Sequence, residues 1–482
     1  MTLHKIPKLH TCLYVFTIAG AAYFFACASS DTQSSRGQGQ YGDRNGEQSG
    51  ILWQKSYGGR RNEFAAGVQQ TRDPGYIVAG TSFSLDGNVS GHHASTDSAD
   101  YWLIKIDAER NPQWQKSYGG TGDDEASAVE QTLDGGYIIA GYSNSTNGDV
   151  KGNHGGYDYW VLKIDGTGAI QWQKSFGGSG DDEARSVVQT HDGGYIVAGI
   201  SSSTDGDVTG NHGGPDYWIV KLDANGGLQW EKSLGGSGND DAYVVRQCWD
   251  GNYIVAGRSN SSDGDVTNSF GGFDIWVVKL SQSGAVRWQK SYGGSDDEEC
   301  GDIQQTSDAG FIIAGSSMST GGEVSGNHGG YDYWIVKIDS SGVIQWQKSL
   351  GGHSDDDARS IWQCGDGSFI VAGNTLSYDG DVTGHRGGLD CWIVKMDASG
   401  GMQWQKTFGG EGDDEAVGIQ QTGDGGFVAV ASSNSSTGDV TGNHGGYDYW
   451  VVKFSGNAPA QQRRQQGGGR RGSRRGGFGG GY

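Results

Sequence analysis

Two tryptophan series run through the chain at a fixed interval. Trp53, Trp114, Trp172, Trp230, Trp288, Trp346 and Trp404 each open a Trp-Gln/Glu-Lys-Ser/Thr segment; after a first step of 61 residues the spacing is 58. Trp102, Trp160, Trp218, Trp276, Trp334, Trp392 and Trp450 keep a spacing of 58 throughout, each two residues after an aspartate (Asp100 to Asp448). A repeat of this length is one supersecondary unit that buries its apolar faces only by stacking on its neighbours.

The third unit shows the parts. Ala184 to Thr190 reads as a strand, and His191-Asp192-Gly193-Gly194 is hairpin-turn chemistry, since Asp-Gly and Gly-Gly accept positive φ. Tyr195 to Ser201 is a second strand, rich in aromatic and β-branched residues. A long loop runs from Ser202 to Pro215. Asp216 to Asp223 is a third strand, Ala224-Asn225-Gly226-Gly227 a second tight turn, and Leu228 to Ser233 a fourth strand. The 89 glycines, beside 16 tryptophans and 5 prolines, fit many tight turns between packed strands.

Four antiparallel strands per unit, seven times over, predict an all-β, seven-bladed β-propeller. The repeats begin at Ile51 with a lone fourth strand, Leu52 to Tyr57, and end near Phe454 with a third strand that lacks a fourth. If the N-terminal strand completes the last blade, every blade has four strands and the exposed sheet edges disappear. The expected domains are an export segment over 1–27, a linker over 28–50, the propeller over 51–454 and an Arg/Gly-rich tail over 455–482.

Gly-Gly-Ser-Gly-Asp-Asp-Glu-Ala at 177–184, Gly-Gly-Tyr-Ile-Val-Ala-Gly at 193–199 and Asp-Tyr-Trp-Ile-Val-Lys-Leu-Asp at 216–223 resemble the bacterial β-propeller repeat family often called SBBP. The resemblance covers about residues 51–454. It implies the fold and an exported or surface setting, and little about activity.

In such a fold the loops from fourth to first strand and from second to third strand share one face, and the tight turns share the other. Binding residues favour loops over a rigid scaffold. An acidic run stands before each innermost strand: Asp123-Asp124-Glu125, Asp181-Asp182-Glu183, Asp240-Asp241, Asp296 to Glu299, Asp355-Asp356-Asp357 and Asp413-Asp414-Glu415. Around one channel mouth these would attract a cation or a basic ligand. The competing reading is that one aspartate per unit bonds loop amides and the others are solvated. The first unit departs, with Arg60, Arg61, Asn62 and Glu63.

The long loop offers a calcium pattern. Asp205, Asp207, Thr209 and Asp216 stand at positions 1, 3, 5 and 12, with Gly210 at 6, the spacing of an EF-hand loop. Asp379, Asp381, Thr383 and Asp390 repeat it, and Asp263, Asp265 and Asp274 do so with Asn268 at the glycine position. The alternative is that an aspartate such as Asp216 bonds loop amides and fixes the entry of the third strand. His154, His212, His328 and His444 recur once per unit and read as polar loop residues, because one histidine per blade cannot assemble a zinc site. The tryptophans read as inter-blade packing. Tyr157, Phe273, Tyr331 and Tyr447, beside the recurrent aspartate, are the better candidates for a lectin-like surface.

Nothing in these near-interchangeable units supplies the asymmetric pocket that catalysis needs, so no enzyme is expected. The departures Trp249, Trp362, Ser269-Phe270 and the first unit, with Arg60, Arg61, His92 and His93, are where a unique site is sought, the first unit foremost.

At the N-terminus, Lys5 and Lys8 precede an apolar run from Cys12 to Ala26, too short to span a membrane comfortably and suited to export. Phe24-Phe25-Ala26-Cys27 resembles the lipobox of bacterial lipoproteins, which implies lipidation of Cys27; Ala26-Cys27-Ala28 equally fits cleavage that releases a soluble protein. The repeat positions of Cys248, Cys300, Cys364 and Cys391 suggest no disulfide. The tail holds six arginines and no acid, a composition that cannot bury a core. A formal charge of −22 disfavours nucleic acid and anionic membranes as partners. The expected protein is a monomeric, exported, lipid-anchored binding or scaffold module with a protein or glycan partner on the long-loop face. The alternative is a secreted lectin-like or adhesion protein, with calcium as its one candidate cofactor.

Overall fold

The computed structural model describes residues 50–93 and 98–456. It contains twenty-eight strands, from β1 (Ile51–Tyr57) to β28 (Asp448–Phe454), in seven four-stranded antiparallel sheets. The expected export segment with Cys27, the expected linker up to residue 49 and the arginine-rich tail from residue 457 lie outside the described residues.

The third unit carries the pattern of all. Its strands are β10 (Asp182–Gln189), β11 (Tyr195–Ser201), β12 (Asp216–Leu222) and β13 (Leu228–Leu234), paired in chain order. The first strand starts two residues earlier than its apolar pattern predicts, because Asp182 still pairs with Ser201. It ends before Thr190, whose amide turns to bond Gly194 O at 2.9 Å. Gly193 takes φ 81° in that turn, a conformation a side chain would strain.

The first strands are innermost. β2 (Glu63–Gln70), β6 (Asp124–Gln131), β10, β14 (Asp240–Gln247), β18 (Glu298–Gln305), β22 (Asp356–Gln363) and β26 (Asp414–Gln421) each touch the next, and β26 touches β2. The ring is closed. Each of these strands carries a bulge at its fourth residue, as where Ala184 faces Gly199 and Ser186 faces Ala198, leaving Arg185 unpaired. A bulge re-aims its side chain and so matters at a channel wall.

Blades lock through aromatic side chains. Every tryptophan of the second series is fully buried. Tyr159 packs on Trp218 with ring centroids 4.6 Å apart, and its hydroxyl donates to Trp218 O at 2.8 Å. Tyr101 with Trp160, Tyr217 with Trp276 and Tyr333 with Trp392 repeat this. Tyr449 of the last blade does the same to Trp102 of the first, at 3.1 Å. The first tryptophan series packs edge-on against the next blade, as Trp114 does on Tyr137. Both series are therefore inter-blade packing.

The last blade has the order β1-β28-β27-β26, with β27 at Phe427–Ser433. Gln54 pairs with Val452 and Tyr57 with Tyr449. Cys248, Cys300, Cys364 and Cys391 are free and buried. On the tight-turn face each blade ties a buried lysine to a turn aspartate, as Lys163 Nζ to Asp134 Oδ2 at 2.9 Å.

Candidate functional site

The acidic run resolves into three separate roles. The first residue bonds the preceding blade: Asp181 Oδ1 accepts from Tyr157 N at 3.0 Å. Asp123, Asp355 and Asp413 accept likewise from Ala99, Tyr331 and Leu389. The second residue is fully buried and pins its own loop: Asp182 Oδ2 accepts from Gly178 N and Ser203 Oγ, both at 2.8 Å. Asp124, Asp240, Asp356 and Asp414 repeat this bond to the loop amide, and Glu63 and Glu298 stand in for them in the remaining units. The third residue, Asp241 or its equivalent, faces the channel. The run is thus not one amide-bonded aspartate among solvated ones.

The buried second residue does not stand alone. The aspartate opening each third strand is also fully buried and lies across the blade junction from it. Asp158 Oδ1 and Asp182 Oδ2 both lie within 2.7 Å of the point where a Cβ on Gly177 would be. All seven junctions have this pair, from Asp448 with Glu63 to Asp390 with Asp414, and in all seven the third-strand Oδ1 has no hydrogen-bond partner. Its Oδ2 is satisfied: Asp158 accepts from His154 N and Nδ1, both at 2.7 Å. The loop histidines therefore orient this aspartate. Burial first, and the facing carboxylate after it, raise Asp124 to about 7, Asp356 to about 6 and Asp390 to about 7.

The long-loop face holds a strongly asymmetric feature. A cavity of about 590 Å³ opens at the channel mouth between the blades of β10 and β22. The bulged residues Arg185, Tyr243 and Arg359 line it, as do Glu183, Asp241, Glu299 and Asp357 from the third position of the acidic run. Arg258 adds a third guanidinium, bonding Asp241 at 2.9 Å and also Glu299, and lying 4.3 Å from the Phe273 ring. Arg185 pairs with Glu183, and Arg359 lies 3.6 Å from Asp357. Burial raises Glu299 despite Arg258 beside it. The arginines carry no repeat signal; only their departure from it marks them.

The calcium pattern has the spacing of a coordinating loop without its geometry. Asp205 accepts from Ser179 N at 2.7 Å, Thr209 bonds Glu231, and Asp207 lies near Gly177 N at 3.4 Å. Asp216 is buried on the His212 amide. Asp263 and Asp379 bond Ser237 and His353, and Asp274 and Asp390 bond Phe270 and Arg386. Asp265, Asp381 and Thr383 take up the equivalent places. Residues 1 and 12 of the pattern thus serve different loops. Among the described residues no group of three or more His, Cys, Asp or Glu is placed to hold a metal.

Of the loop tyrosines, Tyr331 lines the cavity. Tyr157 and Tyr447 instead donate to Asp123 at 3.3 Å and Asp413 at 3.0 Å. This cavity is not beside the first unit, where the sequence departures pointed foremost. His92 there bonds Ser82 O at 3.1 Å, and His93 bonds Asp100 as His154 bonds Asp158.

No family model matches the chain. The regulatory protein FlaEY of Caulobacter vibrioides is similar, with 23 % identity over 382 residues; the match covers 68 % of this chain and 38 % of that protein's length. Among solved structures, the Neurospora crassa Pan2 WD40 domain is 10 % identical with a TM-score of 0.46, over 82 % of this chain and 90 % of that one. The β-propeller domain of the Pyrococcus furiosus trilobed protease is 9 % identical with a TM-score of 0.42, over 83 % and 97 %. A Bacteroides caccae protein of unknown function is 12 % identical with a TM-score of 0.38, over 64 % and 89 %.

Proposed function

We propose that the chain is an exported binding module, anchored by lipid on Cys27, that takes a partner at the channel mouth of its long-loop face. One observation carries the site: the units keep their packing residues and diverge at the positions that line the channel. The third-strand Asp, Trp and Lys are the same in all seven units. The bulge instead holds Ala66, Ser127, Arg185, Tyr243, Gly301, Arg359 and Val417. The sixth residue of the second strand holds Thr81, Tyr142, Ile200, Arg258, Ser316, Asn374 and Ser432. Packing demands the same residue at every blade; a ligand seated on the axis demands different ones.

The partner is a protein or a glycan, and the crowded ion pairs favour a polar surface over an apolar one. The reading is of binding without catalysis, because the arginines of the mouth are each paired with a neighbouring acid. The reading does not call on calcium, since Asp205, Thr209 and Asp216 bond Ser179, Glu231 and His212. The lectin-like alternative rests on Tyr331 at the cavity wall and is separated from a protein partner by a glycan array.

The test is retention of partner from envelope extracts by the full chain. Arg185→Ser with Arg359→Ser is expected to reduce retention at least about tenfold, as loss of charge-assisted contacts does, with the melting temperature little changed. In cells, Cys27→Ala is expected to abolish palmitate incorporation and release the protein. Undiminished retention sinks the site; unchanged labelling sinks the anchor.

A further inference from the structure

One blade already displays a guanidinium in the channel mouth. Arg258 is held by Asp241 of its own blade, by Glu299 of the next, and by the Phe273 ring at 4.3 Å. A step of 58 residues maps this set onto the following unit. Asp241 becomes Glu299, Glu299 becomes Asp357, and Phe273 becomes Tyr331. At the position of Arg258 stands Ser316, and Gly301 replaces the bulged Tyr243. The walls of the cage recur, and the side chain that filled it is gone.

Among the four units with an aromatic residue before the third strand, this combination is confined to one. Tyr142 fills the first of them, its hydroxyl bonding Glu125 at 2.7 Å. Arg258 fills the second. In the last, Phe64 stands where the second acid would be and stacks on Tyr447 at 5.3 Å. In the unit of Ser316 the cavity opens, and Glu299 Oε2 is buried without a hydrogen-bond partner. Ser316 Oγ donates to Asp357 Oδ1 at 2.8 Å, which fixes that carboxylate at the cavity wall.

We propose that the pocket bounded by Glu299, Asp357 and Tyr331, over Ser316, binds an external guanidinium group. This deepens the binding reading above and rests on it. The two carboxylates supply charged acceptors for a guanidinium, and the ring supplies a stacking face. Arg258 and Arg359 flank the pocket, but Asp241 and Asp355 add to Glu299 and Asp357, so the lining stays net negative. The guanidinium comes from a free small molecule, from an arginine of a partner peptide, or from the tail, which carries Arg463, Arg464, Arg470, Arg471, Arg474 and Arg475.

Calorimetric titration with agmatine tests it, on the full chain and on a form with the six tail arginines changed to glutamine. Binding is expected with a Kd of about 1 mM or tighter in at least one form, and weaker binding of the simple diamine putrescine. Binding only in the substituted form identifies the tail as the resident occupant; an arginine peptide that outcompetes agmatine identifies a partner peptide. Ser316→Arg, built on the Arg258 precedent, fills the cage and is expected to weaken agmatine at least about tenfold while leaving the melting temperature unchanged. Tyr331→Leu is expected to weaken it about fivefold. No binding in either form, or full binding to Ser316→Arg, overturns the proposal. Should partner retention persist in that event, the mouth still binds, by other chemistry.

Discussion

Deletion of residues 51–57 is expected to leave a chain that no longer melts cooperatively as a monomer. β1 is the fourth strand of the last blade, yet it comes from the opposite end of the chain. Its loss uncovers the whole hydrogen-bonding edge of β28 and the fully buried Trp450, whose Nε1 donates to Gln54 at 2.8 Å. It also removes Tyr57, fully buried, whose hydroxyl bonds Arg110 O of the first blade at 2.8 Å. Two large aromatic side chains and a seven-residue ladder are worth on the order of 5 kcal/mol or more, comparable with the net stability of a whole domain. The bare edge then pairs with another chain. Size-exclusion chromatography and thermal melts check this: dimers or aggregates with a broadened transition are expected, and a synthetic 51–57 peptide is expected to restore the monomer. A monomer with an unshifted melting temperature would mean that the ring does not need its clasp.

The second large effect is on pH. Seven junctions each bury two carboxyl groups against one glycine, and burial raises both members of each pair, with Glu63 at about 7 and Asp158, Asp216 and Asp274 at about 6. A carboxyl with a raised folded pKa binds its proton more tightly folded than unfolded. That stabilisation is complete below about pH 4 and is lost as the pH rises through 6 to 7. The turn aspartates run the other way. Burial would raise them, but bonds from Thr132 and Lys163 hold Asp134 at about 2, and Asp308 and Asp424 are held likewise. Their contribution is present above about pH 4 and is lost only towards pH 2. The melting temperature is therefore expected to peak near pH 4 to 6 and to fall at least about 5 °C by pH 8. General charge repulsion also grows with pH, so the discriminating variant is Asp158→Asn. Its carboxamide donates where the shared proton stood, so it is expected to stabilise the protein at pH 8 and to do little at pH 5. An Asn variant that loses stability equally at both values would show that the pair carries no proton.

The blades were legible because packing repeats. The aspartate two residues before each tryptophan, the Asp-Gly turns and the lone strand near Leu52 all describe contacts that recur at every junction. The acid pairs were not legible, although both partners were in view. Asp158 and Asp182 fall in different segments, one at the start of a third strand and the other in the acidic run before the next blade, and only the curvature of the ring brings them together. The calcium pattern shows the same limit of sequence spacing: oxygens in a twelve-residue pattern meet at one point only if the loop folds back on itself. Here Asp205 turns outward to Ser179, while Asp216 is buried at a junction. The channel mouth was half legible. The acids were visible as a periodic run, but Arg185, Arg258 and Arg359 break the period and lie on different strands. A search for recurrence passes over them. Their common address appears only when the bulge places Arg185 and Arg359 on the channel wall, beside Arg258.

A photoreactive phenylalanine placed in turn at Ile200, Tyr331, Leu133 and Trp249 tests the location of binding most directly. The first two lie at the mouth of the long-loop face, and the last two are exposed on the tight-turn face. Irradiation on intact cells is expected to give partner adducts from positions 200 and 331 and none from 133 and 249. Adducts from the tight-turn positions alone would contradict the account.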